Sequence, residues 1–285
     1  MKGRFHALSC AGLVCACALQ VLAGGVSPQE GADVTIPEAG GEHLRIDTRD
    51  GPINLWRPAR YDPRTAGIVI YIHGYFTSVD EAWADHQLAE QFRASGRNAL
   101  FIAIEAPQSS DQEVLWNSLD ELLRTVEDLA PFPLPNGPLV VVGHSGAYRT
   151  ILSWLGDPRV QYVILLDGLY SGQAEFRQWL LPHPDAKPHR LVLVAYDTRP
   201  QCRQFARHAY GMARRKMIPT QPASFTAREK HARLLLLRSQ YDHDAMVSGG
   251  RVIPVLLQIS PIKALGAPSP RPARKTSPSP PNRGV

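Results

Sequence analysis

The stretch Leu139–Arg149 constrains this chain more than any other. Leu139-Val140-Val141-Val142 is an apolar, mostly β-branched run without polar interruption, as a strand buried on both faces requires. It leads straight into Gly143-His144-Ser145-Gly146-Ala147, and the residues that follow, through Leu155, repeat at helical spacing. A strand, a very tight turn and a helix are therefore expected, with Ser145 at the apex. Such a turn strains the backbone of its apex residue and leaves room only for small residues two before and two after it. Gly143 and Ala147 meet that condition. The Ser145 hydroxyl would then stand at a helix N-terminus, where free peptide N–H groups can meet a developing negative charge.

The rest of the chain supplies a sheet for that turn. His43 to Asp47 and Ile53 to Arg57 alternate apolar and polar residues around Arg49-Asp50-Gly51-Pro52 and read as an antiparallel hairpin at a sheet edge. Ile68 to Ile72 is a wholly apolar strand ending in His73-Gly74-Tyr75-Phe76-Thr77. Glu81 to Ser95 has the spacing of an amphipathic helix closed by Gly96. Ala99 to Ile104 is the next strand, with Glu105 at its end as a solvated or capping carboxylate in preference to a role in the cleft, and Asp111 to Leu129 reads as a longer helix. After the turn come a strand at Val160 to Leu166 ending in Asp167, a short helix at Ala174 to Leu181 and a strand at Arg190 to Ala195 ending in Tyr196-Asp197. A polar, Arg-rich segment fills Gln201 to Lys230. Ala232 to Leu237 is the last expected strand, His243 follows it, and Ala245 to Gln258 is a closing helix broken by Pro254.

Strands alternating with helices after an antiparallel start imply an α/β fold. The expectation is a mostly parallel twisted sheet with helices on both faces, an N-terminal antiparallel hairpin and no large cap domain. Ligands in such sheets lie beyond the carboxyl ends of the strands. His73, Ser145, Asp167, Asp197 and His243 all fall at those ends.

With the Gly143-His144-Ser145-Gly146-Ala147 turn and the His73-Gly74 pair after an early buried strand, the chain resembles the α/β-hydrolase superfamily over roughly Ile68 to Leu257. It departs from the usual pattern in ending the turn with Ala147 where Gly is customary. The resemblance implies a nucleophile at Ser145, an oxyanion hole made by the backbone N–H groups of Tyr75 and Gly146, and a general base at His243, after the last strand. The other histidines fit that order less well: His144 adjoins the nucleophile, and His183, His189, His208 and His231 precede the last strand or its end. The acid is Asp197, at the commoner family position, or Asp167, at a variant one. Asp167 is slightly favoured because it ends a wholly apolar strand, where an ionised group needs a buried partner.

The activity implied is that of an exported serine hydrolase of esterase or lipase type, acting on a small-molecule or lipid-like acyl substrate through an acyl-enzyme. An acyltransferase or an amidase or peptidase on the same residues is the nearest alternative. A catalytically inactive envelope binding protein that keeps the fold is the alternative of a different class. No metal or redox cofactor is implied: the sequence has no Gly-rich phosphate loop, no Cys/His metal spacing and no dinucleotide fingerprint.

Composition bounds the ends of the chain. Residues 1–23 carry Lys2 and Arg4, then an apolar run, then small residues, and read as a signal peptide, with lipidation or retention as an anchor left open. Residues 24–40 are expected to be a linker, 41–265 the catalytic domain, and 266–285, rich in Pro, Ser and Arg, a disordered tail. Three of the four cysteines lie in the leader, so Cys202 alone would remain and no internal disulfide could form. The net charge of +5 misleads in the same way, because leader and tail hold six of the 31 basic residues and none of the 26 acidic ones. The part between them is close to neutral, which argues against a nucleic-acid binder, and no nucleic-acid-binding motif is present. The tail could touch an anionic envelope surface. Arg203, Arg207, Arg214, Arg215 and Lys216 form a basic rim that would favour an acidic or surface-bound substrate, although runs of this kind are commonly solvated faces.

Overall fold

The computed structural model describes residues 31–32, 35–181, 188–209 and 211–266. The expected leader, the tail beyond Gly266 and His183 lie outside the described residues.

One sheet organises the chain. Its strands are β1 (Gly31–Ala32), β2 (Ile36–Glu38), β3 (Gly41–Asp47), β4 (Ile53–Pro58), β5 (Gly67–Ile72), β6 (Ala99–Ile104), β7 (Leu139–His144), β8 (Tyr162–Leu166), β9 (Arg190–Ala195), β10 (Met212–Arg215) and β11 (Leu234–Arg238). They lie in the order β1-β3-β4-β6-β5-β7-β8-β9-β11-β10, with β2 paired to β3 beside that path. Pairings from β1 to β6 that involve β3 or β4 are antiparallel, and every pairing from β6 through β5 to β10 is parallel. The strand β7 that leads to Ser145 is near the middle, between β5 and β8.

The parallel strands are apolar throughout because both their faces are covered. On one face Ile68, Ile70, Val141 and Leu165 pack with α3 (Leu119–Leu129), α4 (Tyr148–Trp154), α5 (Gln173–Trp179) and α6 (Arg199–Ala206). On the other, Val69, Tyr71, Val140 and Ile164 pack with α1 (Val79–Asp85), α2 (Leu88–Ser95), α8 (Ala245–Ser248) and α9 (Ile253–Leu257), while the short α7 (Ala227–His231) lies against the edge strand β10. Successive residues of a strand thus feed two separate cores, and each buried aliphatic side chain contributes about 1.5–3 kcal/mol.

Several expected elements differ in the structure. The helix expected over Glu81 to Ser95 is two helices, α1 and α2, because Gln87 takes a left-handed conformation with φ +51°. That break sets the His86 Nδ1 at 3.0 Å from the Tyr71 hydroxyl, and the His86 carbonyl accepts from Gln91 Nε2. The helix expected from Asp111 begins only at Leu119, where the Ser118 hydroxyl caps it by accepting the Glu121 N–H. Upstream, Trp116 is buried and its carbonyl accepts from Trp154 Nε1, so residues 111–118 follow tertiary packing and not helical spacing. The closing helix expected over Ala245 to Gln258 is broken, as α8 and α9, but across residues 249–252; Pro254 lies in the first turn of α9, where a proline gives up no hydrogen bond. Part of the expected linker 24–40 belongs to the sheet, with Ile36–Glu38 paired antiparallel to β3. The basic segment contains an unexpected edge strand, β10, which alternation could not reveal because only Ala213 of its four residues is buried.

Among the described residues no helix is long and apolar enough to cross a membrane.

Candidate active site

Ser145 follows β7 directly and opens a 3-10 turn, Ser145–Ala147, that continues into α4. Its φ is +51°, a left-handed conformation that costs a non-glycine residue about 1–3 kcal/mol. The surroundings show why the neighbours must be small. A Cβ on Gly143 would meet the Ala147 Cβ at 3.0 Å and Ile151 Cδ1 at 2.5 Å. A Cβ on Gly74 would come within 2.8 Å of the Ser145 Cβ. The loop after β5 is therefore pressed against the serine, and the Tyr75 ring lies so close over Gly146 that a Cβ there would contact its ring carbons. Among the described residues no protein acceptor takes up the Tyr75 N–H, and Gly146 lies in the first turn of its helix, where N–H groups have no helical partner.

Across the site, Asp167 at the end of β8 is fully buried, with φ +46°. Burial opposes its ionisation, but five donors outweigh that cost and hold its pKa far below the ordinary carboxylate range. His243 Nδ1 donates to Oδ2 at 2.9 Å, Thr198 Oγ1 to Oδ1 at 2.7 Å, and the backbone N–H groups of Tyr196, Asp197 and Thr198 complete the set at 2.8–2.9 Å. The bond to Asp167 in turn raises the pKa of His243 above its ordinary value against the opposing effect of burial. With Nδ1 committed as a donor, the neutral His243 ring carries its acceptor on Nε2. Asp197, the other candidate acid, has its carboxylate 4.0 Å from the same nitrogen and 57% exposed, and its backbone N–H serves Asp167.

Ser145, Gly146, Tyr75 and His243 line one pocket of about 780 Å³. Among the described residues the Ser145 hydroxyl makes no hydrogen bond, so serine and imidazole share the pocket without being joined.

No family model and no curated protein matches the chain by sequence. Solved structures do. An S-formylglutathione hydrolase from Agrobacterium tumefaciens superposes with a TM-score of 0.53 at 10% identity, over 83% of this chain and 100% of that one. A mutant feruloyl esterase module from Clostridium thermocellum, complexed with sinapinate, gives a TM-score of 0.51 at 11% identity, over 80% of this chain and 96% of that one. The chain has the α/β-hydrolase fold.

In that α/β-hydrolase fold the candidate residues named from sequence fall as follows. Ser145, Gly146, Tyr75 and His243 converge on the pocket, Asp167 supports His243 from beneath, and Asp197 stands to one side. His73 is buried beneath the loop, where its Nδ1 donates to the Gly74 carbonyl at 2.6 Å and its Nε2 lies 2.9 Å from Glu105 Oε1. Glu105 also accepts the first N–H of α1, from Val79, at 3.1 Å. Burial opposes ionisation of Glu105, yet His73 and the backbone N–H groups of Val79 and Ala106 together lower its pKa. Both residues brace the loop that carries Tyr75.

Three contributors had no clear sequence signal. Thr198 gives Asp167 two of its five bonds, which only the facing of β8 and β9 reveals. His144 donates from Nε2 to the His243 carbonyl at 3.0 Å, tying the serine turn to the loop of the base. Burial pushes the His144 pKa down to about 3, with the neighbouring His243 charge adding to the effect, so His144 is neutral. Phe76 is 92% exposed at the pocket edge with φ +64°, its N–H held by the Gln108 carbonyl.

Two groups have ligand atoms close enough for a metal, His144 with His243 and Asp244, and Asp167 with Asp197 and His243. In the first the His144 Nε2–H is taken by a carbonyl, which leaves only its Nδ1 as a ligand atom, and in the second five donors already occupy Asp167.

Proposed function

We propose that this chain is an exported serine hydrolase that cleaves carboxylic esters through Ser145, His243 and Asp167. The observation that carries the reading is the Asp167–His243 hydrogen bond, built on a buried carboxylate with five donors and opening onto the pocket that holds a backbone-strained serine. Buried ionised groups are costly, and an arrangement that fixes one imidazole tautomer in the pocket it shares with a half-buried serine is a strong ground for nucleophilic chemistry.

In this mechanism Ser145 Oγ attacks the ester carbonyl and His243 Nε2 takes its proton, while Asp167 holds Nδ1–H and stabilises the imidazolium. The oxyanion sits between the N–H groups of Tyr75 and Gly146. His243 then protonates the leaving alcohol, the acyl-enzyme remains on Ser145, and water activated by the same imidazole releases the acid. Tyr75, Phe76, Tyr148 and Tyr170 line the pocket and suit an apolar or aromatic portion of the substrate, whereas Asp85 and Asp244 at its rim disfavour an anionic one. That the structural neighbours include a feruloyl esterase and an S-formylglutathione hydrolase agrees with ester or thioester cleavage. Export rests on the composition of residues 1–23.

The test is labelling of the purified protein with a fluorophosphonate probe, beside Ser145→Ala and His243→Ala. Labelling of the wild type that both substitutions abolish, followed by turnover of p-nitrophenyl esters, is the expected result. A folded wild type that stays unlabelled overturns the reading.

A further inference from the structure

A second pocket, of about 480 Å³, lies at the far edge of the sheet, where α6 meets β11 and β10. Six basic residues line it: Arg199, Arg203, Arg214, Arg215, Lys216 and Arg238. They come from separated parts of the chain. Arg199 and Arg203 are four residues apart on α6 and so share a helix face. Arg214 stands on β10 in register with Leu236 of β11, Lys216 follows β10, and Arg238 ends β11. No carboxylate lines the pocket, and among the described residues only Arg215 of the six has a carboxylate partner, Glu229 at 3.0 Å. Arg199 has its guanidinium over the Tyr196 ring and its Nε buried without a partner.

Like charges this close repel, and a carboxylate at any of several exposed positions would relieve them. A solvated basic face spreads its side chains over a convex surface, whereas five of these line a concavity from two strands and a helix; Arg215, alternating with Arg214 along β10, carries its guanidinium to the other face, over Phe225 and against Glu229. Guanidinium forks approaching from different directions match the tetrahedral oxygens of phosphate, which each can bind in a bidentate manner. So many cations around one pocket of this size suit an anion that carries several phosphate charges better than a single carboxylate.

We propose that this pocket binds a phosphate-bearing polyanion at a site separate from the serine pocket. Its lining also includes Ala195, the last residue of β9, which leads directly into the Tyr196–Thr198 amides that hold Asp167.

The experiment is calorimetric titration of the full chain with inorganic tripolyphosphate, and in parallel co-sedimentation with vesicles of phosphatidic acid against vesicles of phosphatidylcholine. The double variant Arg203→Gln/Arg214→Gln is compared with Arg159→Gln, whose arginine pairs with Asp157 and Asp120 elsewhere on the surface. Arg203 and Arg214 are exposed and lack carboxylate partners, so the double variant should melt with the wild type, and fluorophosphonate labelling reports that its serine pocket is intact. The expected result is tripolyphosphate binding that weakens with salt and falls about tenfold or more in the double variant, with Arg159→Gln unaffected. Loss of phosphatidic acid binding alone would also support the site and would assign the phosphate to a lipid headgroup. Failure of the wild type to bind either probe, or equal binding by wild type and double variant, overturns the proposal.

Discussion

Replacing Asp167 by Asn tests the proposed chemistry at one atom. Oδ1 accepts from Tyr196 N, Thr198 N and Thr198 Oγ1, and Oδ2 accepts from Asp197 N and His243 Nδ1. An asparagine must put its NH2 group in one of these places. At Oδ1 it would face three donors, so it takes the Oδ2 position, where it faces the Asp197 N–H and the imidazole. The imidazole can answer only by moving its proton to Nε2, which turns the acceptor needed by Ser145 into a donor. Loss of the correct tautomer lowers kcat/KM by about 10⁴-fold, or about 5.5 kcal/mol. The unanswered Asp197 N–H costs about 1–3 kcal/mol of stability, so the variant melts a few degrees lower but still folds. Asp197→Asn changes an exposed group that keeps its backbone N–H, and turnover should fall by less than about threefold. The assay is p-nitrophenyl ester hydrolysis beside thermal melting of both variants. Asp167→Asn retaining more than about a tenth of wild-type turnover, or Asp197→Asn losing as much as Asp167→Asn, would refute the reasoning.

Because Asp167 raises the pKa of His243 above 6.5, kcat/KM should rise with pH through an ionisation above that value and then level off, with the midpoint lowered when Asp167 is neutral. The same pair shapes stability: the contribution of Asp167 is present above its unfolded value of 3.8 and lost as pH falls toward its depressed folded pKa, while that of His243 is present below 6.5 and lost as pH rises through its raised one, as acid and alkaline melting curves would register. Gly146→Ala drives a methyl into the Tyr75 ring and should lower kcat by about 10²-fold through displacement of the proposed oxyanion donors, read from p-nitrophenyl ester turnover. Phe76→Ala should raise KM for aromatic esters while leaving kcat for a small acetate ester unchanged, since the exposed ring stands at the pocket edge and meets the site only through an edge-on contact with the Tyr75 ring, whose backbone N–H is the proposed donor. His144→Phe keeps a ring against His243 but removes the bond to its carbonyl, and should slow turnover by about tenfold to 10²-fold with an unaltered pH midpoint.

The sheet was legible wherever one chemical demand dominated a segment. Ile68 to Ile72, Ala99 to Ile104 and Arg190 to Ala195 are strands in sequence and in structure because burial on both faces admits almost nothing but apolar residues. Legibility failed where a single partner decides the conformation. Gln87 breaks a well-patterned helix, and Arg-rich β10 becomes a strand only because β11 offers it hydrogen bonds. The candidate site residues divide along the same line. Ser145 announces itself through the small residues its turn requires, and those follow from geometry within five positions. Thr198 and the carbonyl of His243 act across strands, and no local pattern marks a hydrogen bond whose partner is some 30 or 99 residues away.

The histidine beside Ser145 shows how the fold joins these distant parts. His144 and His243 have ring centroids 4.5 Å apart, a separation at which two charged imidazoles would repel strongly. Burial keeps His144 neutral, and its Nε2–H is held by the His243 carbonyl, so the pair can accept one proton and that proton goes to the ring bonded to Asp167. The strand end that strains Ser145 therefore also fixes the backbone of the residue proposed to deprotonate it. On this view the strain at Ser145 and the loop carrying His243 form one unit: neither can move without disturbing the contact that His144 makes between them.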